Sequence, residues 1–254
     1  MDQKIIKNND YRKIKENLVN WLRSELKKSG LKGAVVGLSG GIDSAVTARL
    51  CQLAFPENLL TVILPCHSNP QDREDALKLA SELDLKVIEN DLSEVYDHLL
   101  SNLKSNKIKG SKLAAANIKP RLRMTSLYYY AQSLSYLVVG TDNKSELKIG
   151  YFTKHGDGGI DLAPLGSLVK YEVRELAKEL GIPTEIITKK PSAGLWSGQT
   201  DEKEMGFSYQ QLDNYILTGQ AEPEIKAKIE RLAAANQHKL TPVPIPQRRD
   251  LIGN

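Results

Sequence analysis

The sequence predicts an α/β protein, a doubly wound parallel sheet flanked by helices, in one domain over residues 1–254. Three observations carry this. Short apolar runs of strand length alternate with helical-period segments in the N-terminal half, which is how parallel strands joined by right-handed crossover helices are written in sequence. A glycine-rich turn follows the first such run directly, at the carboxyl end of a strand, where these sheets place ligands. The composition, 41% hydrophobic and 26% charged, is that of an ordinary globular domain and excludes collagen, coiled coil and wholesale disorder.

Taken in order, Tyr11, Ile14, Leu18, Leu22 and Leu26 recur at helical spacing and predict a helix over 11–29, capped by Gly30. Residues 34–38 (Ala-Val-Val-Gly-Leu) read as a buried strand, with a helix from about 43 to 54 behind the turn. Residues 60–64 form the next strand, 72–83 a helix with Ala76, Leu79, Ala80 and Leu83 on one face, and 85–88 a third strand. Residues 113–136 read as a long helical stretch, with Pro120 placed to break it locally, leading into a strand at 137–139 that ends at Gly140-Thr141-Asp142. The glycine-rich stretch 147–168 lacks periodicity and is expected to be ordered loop. Val173, Leu176, Ala177 and Leu180 mark a helix closed by Gly181 and Pro183; 191–201 is loop, and helices follow over 208–217 and 223–236. The proline-rich tail 242–249 is expected to be non-helical.

Net charge is +4, a mild excess that suits a small polyanionic ligand and falls short of a nucleic-acid-binding arm. The two cysteines, Cys51 and Cys66, supply neither a disulfide framework nor a zinc set, which points to a reducing, cytoplasmic setting. No apolar run approaches the roughly 20 residues that span a bilayer, and the polar start lacks a signal core, so neither membrane insertion nor secretion is expected. Cys66 and His67 are adjacent at a strand end, point to opposite faces and form no nucleophile and base pair.

The turn Gly37-Leu38-Ser39-Gly40-Gly41-Ile42-Asp43-Ser44 lies between strand and helix, where free N–H groups and the positive helix end attract phosphate. It lacks the lysine of the Gly-Lys-Ser/Thr nucleotide loop and the spacing of the GxGxxG dinucleotide loop. Gly40 and Gly41 let the backbone approach an anion, and Ser39 and Ser44 offer hydroxyls. Asp43 among phosphates calls for Mg²⁺. Each residue alone would equally be a helix cap or a tight-turn glycine. Together, Ser-Gly-Gly-Ile-Asp-Ser after a buried strand resembles the pyrophosphate loop of the ATP pyrophosphatase superfamily, whose members split ATP into AMP and pyrophosphate to activate a substrate.

Four further segments make the chain resemble the ammonia-dependent NAD synthetase family along nearly its whole length: Asn117-Ile118-Lys119-Pro120-Arg121-Leu122-Arg123-Met124, Gly140-Thr141-Asp142-Asn143-Lys144-Ser145-Glu146, residues 150–161, and Lys189-Lys190-Pro191-Ser192-Ala193-Gly194-Leu195-Trp196 with Gln199-Thr200-Asp201-Glu202 behind it. The resemblance implies an adenine nucleotide alpha hydrolase-like fold and amidation of nicotinic acid adenine dinucleotide through an acyl adenylate. Gly37, Leu38, Ser39, Gly40, Gly41, Ile42, Asp43 and Ser44 would hold ATP, together with Thr141, Lys170 and Ser192. Asp43 and Glu146 would bind Mg²⁺, while Arg121, Lys154, Asp161, His238 and Lys239 would bind the deamido dinucleotide. Lys170 would offset charge on departing pyrophosphate and Asp157 would serve as general base.

Loops near 65–72 and 190–205 are expected to act as lids that keep water from the adenylate. A glutaminase domain would need roughly 200 residues of its own, for which this chain has no room, so ammonia is the expected nitrogen donor. The resemblance also implies a homodimer, for which the helix carrying Trp21 and the 113–136 stretch are the expected surfaces, since tyrosines at 128–130 and 136 offer more aromatic area than one helix face buries. Other classes compatible with the first loop are a GMP synthetase-like amidase, an RNA thiolase and a non-catalytic ATP-binding module.

Overall fold

Strand β1 (Gly33–Gly37) pairs in parallel with β2 (Leu59–Ile63) on one side and with β4 (Tyr136–Val138) on the other, and β3 (Val87–Glu89) extends the sheet beyond β2. The order β3-β2-β1-β4 reverses direction at β1, so a crevice opens beyond the carboxyl ends of β1 and β4. The computed structural model describes residues 9–106, 108–192, 194, 196 and 198–252.

Alternation along β1 divides the core. Ala34 and Val36 face one layer, containing α1 (Tyr11–Ser29), α2 (Ile42–Ala54), α3 (Pro70–Glu82), α8 (Lys170–Glu179) and α9 (Thr184–Thr188). Val35 joins Leu60, Val62 and Val138 on the opposite face, against α4 (Ser93–Lys104) and α6 (Ile118–Leu134), the latter preceded by α5 (Lys112–Ala116). A satellite core centred on Ile149, Phe207, Tyr209, Leu212 and Ile229 unites α7 (Lys144–Ile149), α10 (Asp201–Met205), α11 (Tyr209–Thr218) and α12 (Pro223–Leu240). A short exposed helix, α13 (Arg248–Ile252), closes the described chain.

The opening helix spans the predicted residues, with Gly30 at φ 71° as its left-handed cap. The long helix expected over 113–136 is two helices that meet at Asn117. Pro120 is the third residue of α6, in the first turn, where its missing N–H leaves no bond unmade. The loop expected from 147 begins inside α7, whose capping box is too local to show as periodicity: the Asn143 side chain accepts the Ser145 and Glu146 N–H groups, and Glu146 accepts the Asn143 N–H. The tail expected to be non-helical through 249 turns into α13 at Arg248. Both expected lid segments are partly helical, because α3 starts at Pro70 and α10 ends the second; Ala193, Leu195 and Ser197 of that second segment lie outside the described residues. Tyr128, Tyr130 and Tyr136 pack within the fold, leaving Tyr129 as the exposed member of the tyrosine cluster at 69%. Among the described residues no helix is long and apolar enough to cross a membrane.

Candidate active site

The crevice is a cavity of about 580 Å³, within the size range of small-molecule sites. Its floor is the turn after β1. Gly40 sits at φ 75°, and a Cβ there would lie 2.3 Å from the Asp72 carbonyl oxygen, so only glycine fits. The Ser39 hydroxyl donates to Ser44 Oγ at 3.0 Å, and Ser44 Oγ donates to the Gly41 carbonyl at 2.9 Å, which locks the turn before any anion arrives. Leu38 and Ile42 are buried and anchor the turn to the core.

Three chain segments meet beyond this turn. Lys170, the first residue of α8 and 2% exposed, donates to Asp43 Oδ2 at 2.5 Å and to Glu146 Oε1 at 3.4 Å. A lysine at a helix N-terminus is electrostatically unfavourable alone, and the two carboxylates supply the compensation. Burial by itself would depress the Lys170 ammonium, but Asp43 and Glu146 reverse this and hold it above its ordinary range. Burial pushes Glu146 up to about 7 against the opposing pull of Lys170. Asn143 donates to Asp43 Oδ1 at 2.9 Å, so the residue that caps α7 also orients the carboxylate of the turn.

A second group of charges lines the same cavity. Asp157 Oδ1 accepts the Thr153 N–H at 2.9 Å, and burial raises its carboxyl. Arg123 donates to the Leu64 carbonyl at 3.0 Å and to Ser68 Oγ at 3.1 Å, holding the ends of β2 and α6 together. Asp142 is 5% exposed, and its Oδ2 is without a hydrogen-bond partner among the described residues. Burial and the neighbouring Asp157, Glu146 and Asp43 raise its carboxyl well above the usual range.

Of the residues singled out in sequence, the turn residues other than Gly40, Thr141, Glu146, Asp157, Lys170, Ser192 and Lys239 line this cavity. Gly40 lies beneath the turn against α3. Lys239 donates to the Gly150 and Phe152 carbonyls at 2.7 and 2.9 Å, and burial lowers its ammonium. Arg121, Lys154 and His238 form a chain away from the cavity lining: Arg121 donates to the Lys154 carbonyl at 3.3 Å and Lys154 to the His238 carbonyl at 2.6 Å. Asp161 also lies off the lining, with its two oxygens accepting the Tyr128 hydroxyl at 3.0 Å and the Val138 N–H at 2.8 Å. Cys66 is buried with its thiol pushed up by burial, and His67 turns away to Asp97 at 2.9 Å, in line with two independent residues. Sequence reasoning assigned no role to Asn143, Arg123, Asp142 or Tyr209; of these, only Asn143 carried a local signal, its capping box with Glu146.

Among the described residues no group of three or more His, Cys, Asp and Glu side chains forms a ready metal cage. Mg²⁺ uses one or two carboxylates and completes its shell with phosphate oxygens and water. The Asp43 and Glu146 pair, gathered on a single ammonium beside the phosphate turn, fits that donor set.

This arrangement can be set beside known proteins. The model of the NAD synthase family matches residues 14–243. The chain belongs to the NAD synthase family. It is 56% identical over 225 residues to the NH(3)-dependent NAD(+) synthetase of Carboxydothermus hydrogenoformans, covering 88% of this chain and 93% of that one. Among solved structures, the NMN synthetase from Francisella tularensis superimposes with a TM-score of 0.90 at 38% identity, covering 94% of this chain and all (100%) of that one. The NH3-dependent NAD synthetase from Campylobacter jejuni, in complex with the nitrate ion, gives 0.77 at 32%, with coverage of 94% and 100%. The parallel sheet flanked by helices in this chain is of the adenine nucleotide alpha hydrolase-like fold.

Proposed function

We propose that the chain is a carbon–nitrogen ligase that amidates nicotinic acid adenine dinucleotide to NAD with ammonia, consuming ATP. The observation that carries this is Lys170, held between the Asp43 carboxylate of the phosphate turn and Glu146 of α7 in a cavity that also holds Asp157. The name and near-complete coverage of the Carboxydothermus relative support it, including ammonia as the donor.

A carboxylate resists direct amidation because oxide is a poor leaving group. The nicotinate oxygen therefore attacks the α-phosphorus of ATP, and the bond from that phosphorus to the bridging oxygen of pyrophosphate breaks. The turn 37–44 receives the phosphates through its N–H groups, with Thr141 and Ser192 contributing hydroxyls. The Lys170 ammonium offsets charge on the leaving pyrophosphate. Asp43 and Glu146 would hold Mg²⁺, which would supply further neutralisation of the phosphates. Ammonia nitrogen then attacks the acyl carbon, the bond to the AMP oxygen breaks, and Asp157 takes the surplus proton; its raised carboxyl makes it the stronger base. Lys239, Arg121, Lys154, Asp161 and His238 form the dinucleotide side, the last four from the shell outside the cavity lining. The same reading makes residues 1–254 one catalytic unit in the cytoplasm, working as a homodimer for which exposed Tyr129 and Leu113 offer apolar surface.

The Francisella likeness favours a second reading, in which nicotinic acid mononucleotide replaces the dinucleotide. The test is product formation by the purified chain with ATP, Mg²⁺ and each nucleotide, using either ammonium or glutamine, with AMP followed in parallel. NAD with ammonium alone supports the first reading. Preference for the mononucleotide supports the second, and no AMP with either overturns both.

A further inference from the structure

The active centre is built from the turn after β1, α7 and the start of α8, and a helix outside this set braces the last two against each other. On α11, Tyr209 and Asp213 are four residues apart and share one face. The Tyr209 hydroxyl lies 3.1 Å from Glu146 Oε1 and 3.0 Å from Asp201 Oδ2, and its ring lies beneath the Lys170 ammonium at 4.8 Å. Asp213, 3% exposed, accepts the Ser145 hydroxyl at 2.5 Å and the Tyr171 N–H at 2.8 Å. Ser145 Oγ in turn accepts the Lys170 N–H at 3.1 Å. Ser145 immediately precedes Glu146, and Tyr171 immediately follows Lys170. One carboxylate thus holds the side chain that precedes Glu146 and the backbone N–H that follows Lys170, while the tyrosine one turn earlier contacts both functional side chains.

We infer that α11 is the positioning element of this centre, with Asp213 fixing the first turns of α7 and α8 and Tyr209 aiming Glu146 and Lys170 at the phosphate turn. The inference rests on the proposed role of Asp43, Glu146 and Lys170 in ATP activation. Groups that orient a metal ligand, the role proposed for Glu146, typically cost roughly 10- to 100-fold in metal affinity or activity when altered. Neither residue is among those lining the cavity, and both act through Glu146, Ser145 and the first residues of α8.

The test uses two near-isosteric variants of the full chain, Asp213→Asn and Tyr209→Phe. Initial rates with ATP, Mg²⁺, ammonium and the dinucleotide give kcat and KM, thermal melts give the folded fraction, and brief acylation with acetic anhydride followed by peptide mass spectrometry reads the accessibility of Lys170. The expected result is a kcat lower by about tenfold or more, with KM for the dinucleotide within about twofold, and faster acylation of Lys170 in protein that is still folded. Rates that fall only in proportion to lost folded protein, or folded variants with kcat within about twofold of the parent and unchanged acylation, overturn the inference. If Asp213→Asn does not fold, Tyr209→Phe decides alone, since it removes one oxygen and retains the ring. A parent chain that makes no NAD refutes the functional reading instead, and Lys170 acylation then decides the positioning claim independently.

Discussion

Lys170 and Asp43 are 127 residues apart in sequence, yet the Lys170 ammonium lies 2.5 Å from the Asp43 carboxylate, joining the first turn of α8 to the phosphate turn after β1. The lysine is 2% exposed and its partner's side chain 18%, so the pair is shielded from water and salt. Asp43→Asn leaves a buried ammonium with Glu146 as its remaining ion-pair partner among the described residues. Loss of such a partner destabilises by about 3 kcal/mol, and activity falls with it. Denaturant melts of the variant at neutral pH check the first part, and AMP release checks the second. A variant as stable as its parent would contradict the burial of this pair.

Glu146 gives a pH dependence whose sign is fixed by its shift. Its folded value, about 7, lies above the 4.5 of an unperturbed glutamate, so the folded state binds a proton that the unfolded state has already released between these values. The contribution is complete below about 4.5 and is lost as pH rises through about 7, on the order of 3 kcal/mol. Glutamine mimics the protonated form. The stability of the parent relative to Glu146→Gln is therefore expected to decline from pH 4.5 to 7, measured by urea melts across that range; a flat difference rules the shift out.

Gly40→Ala tests the phosphate turn. At φ 75°, with the Asp72 carbonyl 2.3 Å from the new Cβ, alanine meets both backbone strain and a clash with α3. A loss of about 1–3 kcal/mol is expected, together with weaker ATP binding by calorimetry. Unaltered binding would show that the turn does not have to keep this shape.

Asp161→Asn separates two roles of one carboxylate. Both oxygens accept protein hydrogen bonds, from Tyr128 and from the Val138 N–H at the end of β4. An amide can keep one acceptor and sets a donor against the other, a change expected to destabilise by about 1–2 kcal/mol. If Asp161 also contacts the dinucleotide, KM for it rises beyond what the stability change explains. A raised KM with an unchanged melt would make the role one of binding alone.

Much of the fold was legible because it is written locally. The helix over 11–29 and its Gly30 cap follow from apolar spacing and one left-handed position. The strands follow from short apolar runs, and each predicted core strand lies within a residue or two of its place. Elements too short for a period to emerge escaped, such as α7 and α9, as did the break at Asn117 between α5 and α6. The phosphate turn was legible as a contiguous string, whereas the Asn143–Glu146 capping box that fixes Glu146 went unread. Arg123 and Asp142 sat in recognised segments without a role, because their significance lies in burial and in neighbours from other segments.

The sequence by itself determined the α/β class, the turn after β1 and the family resemblance, all properties of residues close together along the chain. Tertiary structure alone decided that α11 stands behind the active centre. Tyr209 and Asp213 read in sequence as one aromatic and one acid on an amphipathic helix. Their meaning comes from the satellite core, where Leu212 and Ile229 pack α11 so that its polar face abuts α7 and α8. Long-range juxtaposition is set by which apolar faces are buried together, and no local pattern specifies it.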